Sequence, residues 1–131
     1  MVPTDAASRR DFSQQPPVAR VLGVVVGPVL LGAISGLLLG VSAPAYWVVQ
    51  VIASIGGFLG GTEHIGWRPG LVRGVVGGVL YGATILLVRA TTGWTDEVDL
   101  GSTPALLVVI TTVLGLLLGA AGGAVRSHHT R

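Results

Sequence analysis

Residues 71–88 read LVRGVVGGVLYGATILLV. No charged residue occurs between Arg73 and Arg89, and glycine recurs at positions 70, 74, 78 and 82. A helix needs about 20 predominantly apolar residues to cross ~30 Å of hydrocarbon at 1.5 Å per residue. The stretch is close to that length and predicts a transmembrane helix. A spacing of four keeps successive glycines near one helix face, drifting by about 40° per step. Small residues on one face let two backbones approach, and dispersion across such contacts associates helices in lipid.

Three further stretches, 21–41, 45–61 and 104–125, are uncharged throughout. With 71–88 they predict an all-α membrane protein of four transmembrane helices. The link 42–44 is very short and forces an antiparallel helical hairpin; the link 89–103 is longer and holds Asp96, Glu97 and Asp99. The expected organisation is a flexible cytoplasmic tail at 1–20, a four-helix domain at 21–125 made of two hairpins, and a cytoplasmic tail at 126–131. A signal peptide has a short apolar region close to the amino terminus, whereas the first apolar run here starts after some twenty polar residues. It reads as a retained span.

Composition agrees with this. Of 131 residues, 50% are hydrophobic and 11% charged, and mean hydropathy is +0.76. Soluble domains carry about 25% charged residues, so a water-soluble globule lacks the charge to cover its surface. Disorder requires the opposite bias. The chain has no cysteine, which excludes disulfides, thiolate metal sites and cysteine nucleophiles.

Arginine supplies every basic side chain except histidine. With four crossings, Arg9, Arg10, Arg20, Arg68, Arg73, Arg126 and Arg131 fall on one side and Arg89 alone on the other. Excess Lys and Arg marks the cytoplasmic side. This predicts a multi-pass protein of the cell inner (cytoplasmic) membrane with both termini cytoplasmic. The basic groups are dispersed and have no interleaved aromatic platform, so nucleic acid is not an expected partner. The expected partners are the lipid bilayer and either further copies of the chain or subunits of a membrane complex.

The halves resemble one another. VVGPVLLGA at 25–33 aligns with VVGGVLYGA at 75–83, identical at seven of nine positions, and Pro44-Ala45 followed by Val48-Val49 aligns with Pro104-Ala105 followed by Val108-Val109. A duplication of two-span units relates the halves by an axis along the membrane normal. Pro28 is expected to kink the first helix, because it removes one backbone donor and crowds the carbonyl of Val24.

Gly32, Gly36 and Gly40 in the first span, Gly74, Gly78 and Gly82 in the third, and Gly115 and Gly119 in the fourth are the expected helix-packing positions. Helix two adds the pairs Gly56/Gly60 and Gly57/Gly61. Two uses are open: holding the four helices together, or mating one stripe with a second copy.

Polar groups within the spans are few: Ser35, Gln50, Ser54, Tyr81, Thr84, Thr111 and Thr112. Gln50 and Ser54 lie one turn apart on one face, where they either line a polar path or bond a neighbouring helix. Hydroxyls also close on the carbonyl four residues back. The densest polar segment is 62–70 with Arg73. There Glu63 and His64 form a candidate proton-transfer pair, and the alternative is a membrane-edge loop with Trp67 as anchor, Arg68 and Arg73 on lipid phosphates and Glu63 paired with an arginine. The possible path or polar site comprises Gln50, Ser54, Thr84, Glu63, His64 and Arg68. His128 and His129 lack further ligands at metal-binding spacing. No catalytic motif occurs, so no catalytic residue, metal site, cofactor or enzymatic activity is expected. Besides a regulatory role in which the Glu63–Arg73 loop docks a cytoplasmic partner, two roles remain: a non-catalytic packing or accessory protein, and a small channel or carrier with its path at a subunit interface. The direction in which the span hydroxyls point discriminates them.

Overall fold

The computed structural model describes residues 16–130 and is all-helical among them. It has α1 (Pro17–Leu39), α2 (Ala43–Thr62), α3 (Trp67–Thr92) and α4 (Leu106–His129). All four are long and apolar enough to cross a membrane. Residues 1–15 of the amino-terminal tail, with Arg9 and Arg10, and Arg131 lie outside the described residues. At the edges the helices outrun the apolar runs. α1 begins at Pro17, whose missing N–H costs nothing in a first turn. α4 continues to His129, so positions 126–129 are helical where a tail is expected. Helical propensity does not stop where hydropathy stops.

The boundaries have local causes. Ser42 caps α2, its hydroxyl accepting from the Ala45 N–H at 3.4 Å with Pro44 in the first turn. Gly66 precedes α3 with φ 108°, and Gly93 ends α3 in the left-handed conformation, φ 63°, its N–H on the Arg89 carbonyl. A side chain is strained at either position, and glycine is not. α1 runs through Pro28 as one helix.

The four helices alternate in direction. The ends holding Pro17, Thr62, Trp67 and His129 form what we call the basal end; the opposite end is apical. α3 is central. It packs along α4 most extensively, then against α1, while α2 packs on α4; α2 touches α3 and α1 less, and α1 and α4 barely meet.

Glycine makes these contacts. A Cβ on Gly74 would overlap the Gly115 carbonyl, and one on Gly115 would overlap the Gly74 carbonyl. Gly70 and Gly119 oppose each other in the same way, and Gly78 lies on the Thr111 carbonyl. Gly82 lies on the Thr111 hydroxyl and Gly123 on the Gly66 carbonyl. Between α2 and α4, Gly61 meets the Gly119 carbonyl and Gly122 the Phe58 carbonyl. On α1, a Cβ at Gly32 would come within 2.7 Å of the Tyr81 carbonyl oxygen, one at Gly36 within 2.8 Å of Val88 Cβ, and one at Gly40 within 2.9 Å of Trp94 Cβ. All eight expected packing glycines therefore face a neighbour within the chain. Gly23, Gly27 and Gly56 have nothing within 4 Å.

Large buried side chains are correspondingly scarce. Leu39, Tyr46, Tyr81 and Ile85 make up the buried apolar core, whereas Val18, Leu22, Leu30, Val51, Val72 and Leu117 are all more than half exposed. In water this would be an aggregating surface. In lipid the apolar exterior costs nothing, and the interior is held by backbone contact.

The apical segment 93–105 folds back over the helices. The Glu97 N–H donates to the Leu39 carbonyl at 2.8 Å, and Val98 and Leu100 pack against the buried cluster. Asp96 pairs with Arg89 at 2.6 Å. At the basal end Arg126 donates from Nη1 to the Thr62 carbonyl at 2.8 Å, capping α2 from α4.

Candidate functional site

Since α1 and α2 part below their apical turn, a cavity of about 190 Å³ opens between the helices. Its wall is mostly glycine and leucine, and its polar side chains are Gln50, Ser54, Arg73, Tyr81 and Thr111.

Toward the apical side the polar groups form a chain across three helices. The Tyr81 hydroxyl donates to Gln50 Oε1 at 2.9 Å and lies 2.6 Å from Ser35 Oγ. A phenol has one proton; with it on Gln50, Tyr81 accepts from Ser35. α1, α3 and α2 are thus tied at one hub, next to the fully buried Leu39 and Ile85. Thr111 Oγ1 donates to the Gly78 carbonyl at 2.9 Å and ties α4 to α3.

The other hydroxyls close on their own helices. Ser54 donates to the Gln50 carbonyl at 2.8 Å, Thr84 to Leu80 at 2.7 Å and Thr112 to Val108 at 2.6 Å. Of the path residues expected from sequence, Gln50 and Ser54 line the cavity and Thr84 does not; of the other span threonines, Thr111 lines it and Thr112 does not. Thr84 instead packs its Cβ against Gly32.

Segment 62–70 divides. Arg68 points outward, its guanidinium carbon 5.3 Å from the centre of the Trp67 ring, and both residues are exposed. Glu63 is exposed on the turn and closes α2 through its N–H to the Gly60 carbonyl. His64 is half-buried, with its backbone N–H on the Gly61 carbonyl at 3.1 Å. None of Glu63, His64 and Arg68 lines the cavity.

Arg73 goes the other way. Its side chain lies between α2 and α3, with Nη2 3.7 Å from the site of a Cβ on Gly60 and Nη1 3.3 Å from that on Gly77. Pro28 of α1 approaches the same Gly77 position at 3.7 Å. Arg73 Nε is buried and has no hydrogen-bond partner, and no ion pair engages the guanidinium among the described residues. Glu63 acts on it only electrostatically. Sequence groups Arg73 with the membrane-edge arginines. The missed signal is that glycine stands at 74, 77 and 60, leaving the long side chain room to turn inward.

Comparison with known proteins returns no match: no family model, no curated protein and no solved structure is similar to this chain.

Proposed function

We propose that the chain is a small four-pass protein of the inner (cytoplasmic) membrane, both ends cytoplasmic, with a non-catalytic accessory role as a self-associating protein or a subunit of a larger membrane complex. One observation carries the role. Ser54, Thr84 and Thr112 close on their own backbones, and Ser35, Tyr81, Gln50 and Thr111 bond neighbouring helices. Hydroxyls so committed hold a bundle together instead of standing free to solvate a solute.

The packing also narrows where association would occur. Gly32, Gly36, Gly40, Gly74, Gly78, Gly82, Gly115 and Gly119 are spent within the chain. A glycine-bearing surface left for another helix is the exposed basal half of α1, including Val18, Leu22 and Val26, with the open Gly23 and Gly27 one turn apart. Native mass spectrometry of the chain extracted from membranes tests this. A fixed stoichiometry with copies or partner subunits, lost on Gly23→Leu, supports the accessory role. A lone monomer that carries solute flux in proteoliposomes, abolished by Gln50→Leu, overturns it.

A carrier whose path runs within the chain, rather than at a subunit interface as expected from sequence, has one supporting observation, the cavity with Gln50, Tyr81 and Arg73 on its wall. Flux through the monomer is its discriminating measurement.

A further inference from the structure

We infer that Arg73 and the cavity beside it hold the headgroup phosphate of an anionic phospholipid entering sideways between α1 and α2. The inference requires the membrane placement proposed above but not the accessory role.

Three features converge on it. First, Arg73 has a buried Nε without a partner and a guanidinium in no ion pair among the described residues. Arg73 is half-buried with its Nε shut off from water; that N–H needs an acceptor, and the planar fork matches a phosphate through two parallel N–H bonds. The one acid acting on it, Glu63, sits exposed on the turn and does not bond it.

Second, the depth fits. Gly60, against which Nη2 lies, is two residues from the end of α2 at Thr62. That is about 3 Å along the axis from that end, while Gly77, against which Nη1 lies, is ten residues into α3, about 15 Å from Trp67; the charge therefore lies in the basal half of the bundle, within reach of a phosphate drawn in from the basal interface.

Third, the space fits part of a lipid and little else. The cavity of about 190 Å³ is smaller than the ~300–1,000 Å³ of pockets that enclose a whole small molecule. Its wall is largely apolar, and Gly27 and Gly56 stand on either side of the gap between α1 and α2 with nothing within 4 Å. A headgroup and the first carbons of its chains can enter there while the rest stays in the bilayer. A zwitterionic headgroup already offsets its phosphodiester with its own ammonium, so the single positive charge of Arg73, in no ion pair among the described residues, favours a lipid with net charge −1.

The test uses the full chain in nanodiscs of phosphatidylcholine with a minor fraction of phosphatidylglycerol, released into native mass spectrometry to count retained lipid. One phosphatidylglycerol is expected per chain, and Arg73→Gln is expected to lower its retention about tenfold, the scale of a lost charge-assisted hydrogen bond. Gly56→Leu, which fills the entrance without meeting another helix, is expected to lower retention with Arg73 intact. Equal retention of the two lipids by the wild-type chain, or undiminished phosphatidylglycerol on Arg73→Gln, overturns the inference. If inorganic phosphate alone binds and displaces the lipid, the site is one for free anions and the lipid assignment falls. Should Arg73→Gln fail to insert, Gly56→Leu decides: unchanged retention overturns the site. A wild-type chain that does not enter nanodiscs overturns the membrane placement itself.

Discussion

A single added methyl group is a measurable event in this protein, because backbone rather than side chains fills its interior. At Gly74 a Cβ would overlap the carbonyl of Gly115, while at Gly23 it would meet nothing. Gly74→Ala must push α3 from α4, and overpacking of this kind costs roughly 1–3 kcal/mol. Gly23→Ala is expected to be neutral or to stabilise by up to about 1 kcal/mol through helix propensity. Reversible unfolding in mixed micelles compares them, and equal midpoints would refute the packing described. Gly78→Leu, the natural first choice for probing association, reports on the Thr111–Thr112 backbone of the same chain and would disrupt the fold at any stoichiometry. The hydroxyls sort in the same manner. Tyr81→Phe strips the hub from both Ser35 and Gln50; with interhelical bonds in lipid averaging ~0.6 kcal/mol, the loss is on the order of 1 kcal/mol. Thr112→Val removes a bond of a helix to itself, and a shift as large as that of Tyr81→Phe would show that hub and self-bond do not differ.

Helices were legible because hydropathy and glycine spacing act along one strand of sequence, and the four spans and their packing faces follow from them. What faces what was not legible. The pairing of Gly74 with Gly115 and the inward turn of Arg73 depend on the angle at which separate helices meet, which no single segment encodes. The apical link shows the limit most clearly. Asp96, Glu97 and Asp99 suggest a solvated loop or a cation-attracting mouth, yet Asp96 is spent on Arg89, and the backbone of Glu97 is anchored on α1. The anchor is the Trp94 side chain on Gly40, a contact between positions that carry no shared motif. The loop is therefore expected to be ordered through apolar contact and one backbone bond, with the partly exposed Arg89–Asp96 pair contributing at most about 1 kcal/mol. Trp94→Ala should raise amide exchange at Glu97 about tenfold, the equivalent of about 1.4 kcal/mol of local stability. Exchange unchanged at Glu97, or raised equally throughout α1, would show that Trp94 does not hold the loop.

At the scale of the whole molecule, the two halves that look alike in sequence are used differently, and the difference produces the cavity. Position 28 of the first half corresponds to position 78 of the second. Gly78 lies against the Thr111 backbone, so the α3–α4 hairpin closes along its length. Pro28 offers α2 no such contact and instead turns toward Gly77, so the α1–α2 hairpin stays open below its apical turn and leaves the space beside Arg73. If the halves arose by duplication, this is one of two positions in the aligned segment where their packing parted; the other sets Leu31, on the cavity wall, against Tyr81 of the hub. The charge distribution survives the divergence. Arg20, Arg68, Arg73 and Arg126 lie at the basal end, while Arg89 alone lies apically and is paired with Asp96. Orientation follows the count of Lys and Arg flanking the spans rather than net charge, so the basal end is expected to face the cytoplasm. A chain without cysteine is suited to single-site labelling. Ser102→Cys in the apical link, and Glu63→Cys and Thr130→Cys at the basal end, replace exposed residues. In intact cells a membrane-impermeant maleimide is expected to label Ser102→Cys alone. Glu63→Cys and Thr130→Cys should react only after permeabilisation. The reverse pattern would invert the protein in the membrane, and with it place the Arg73 cavity in the outer leaflet. Labelling of Glu63→Cys and Thr130→Cys from opposite sides would be more severe, because both lie at the same end of a bundle that crosses the bilayer an even number of times.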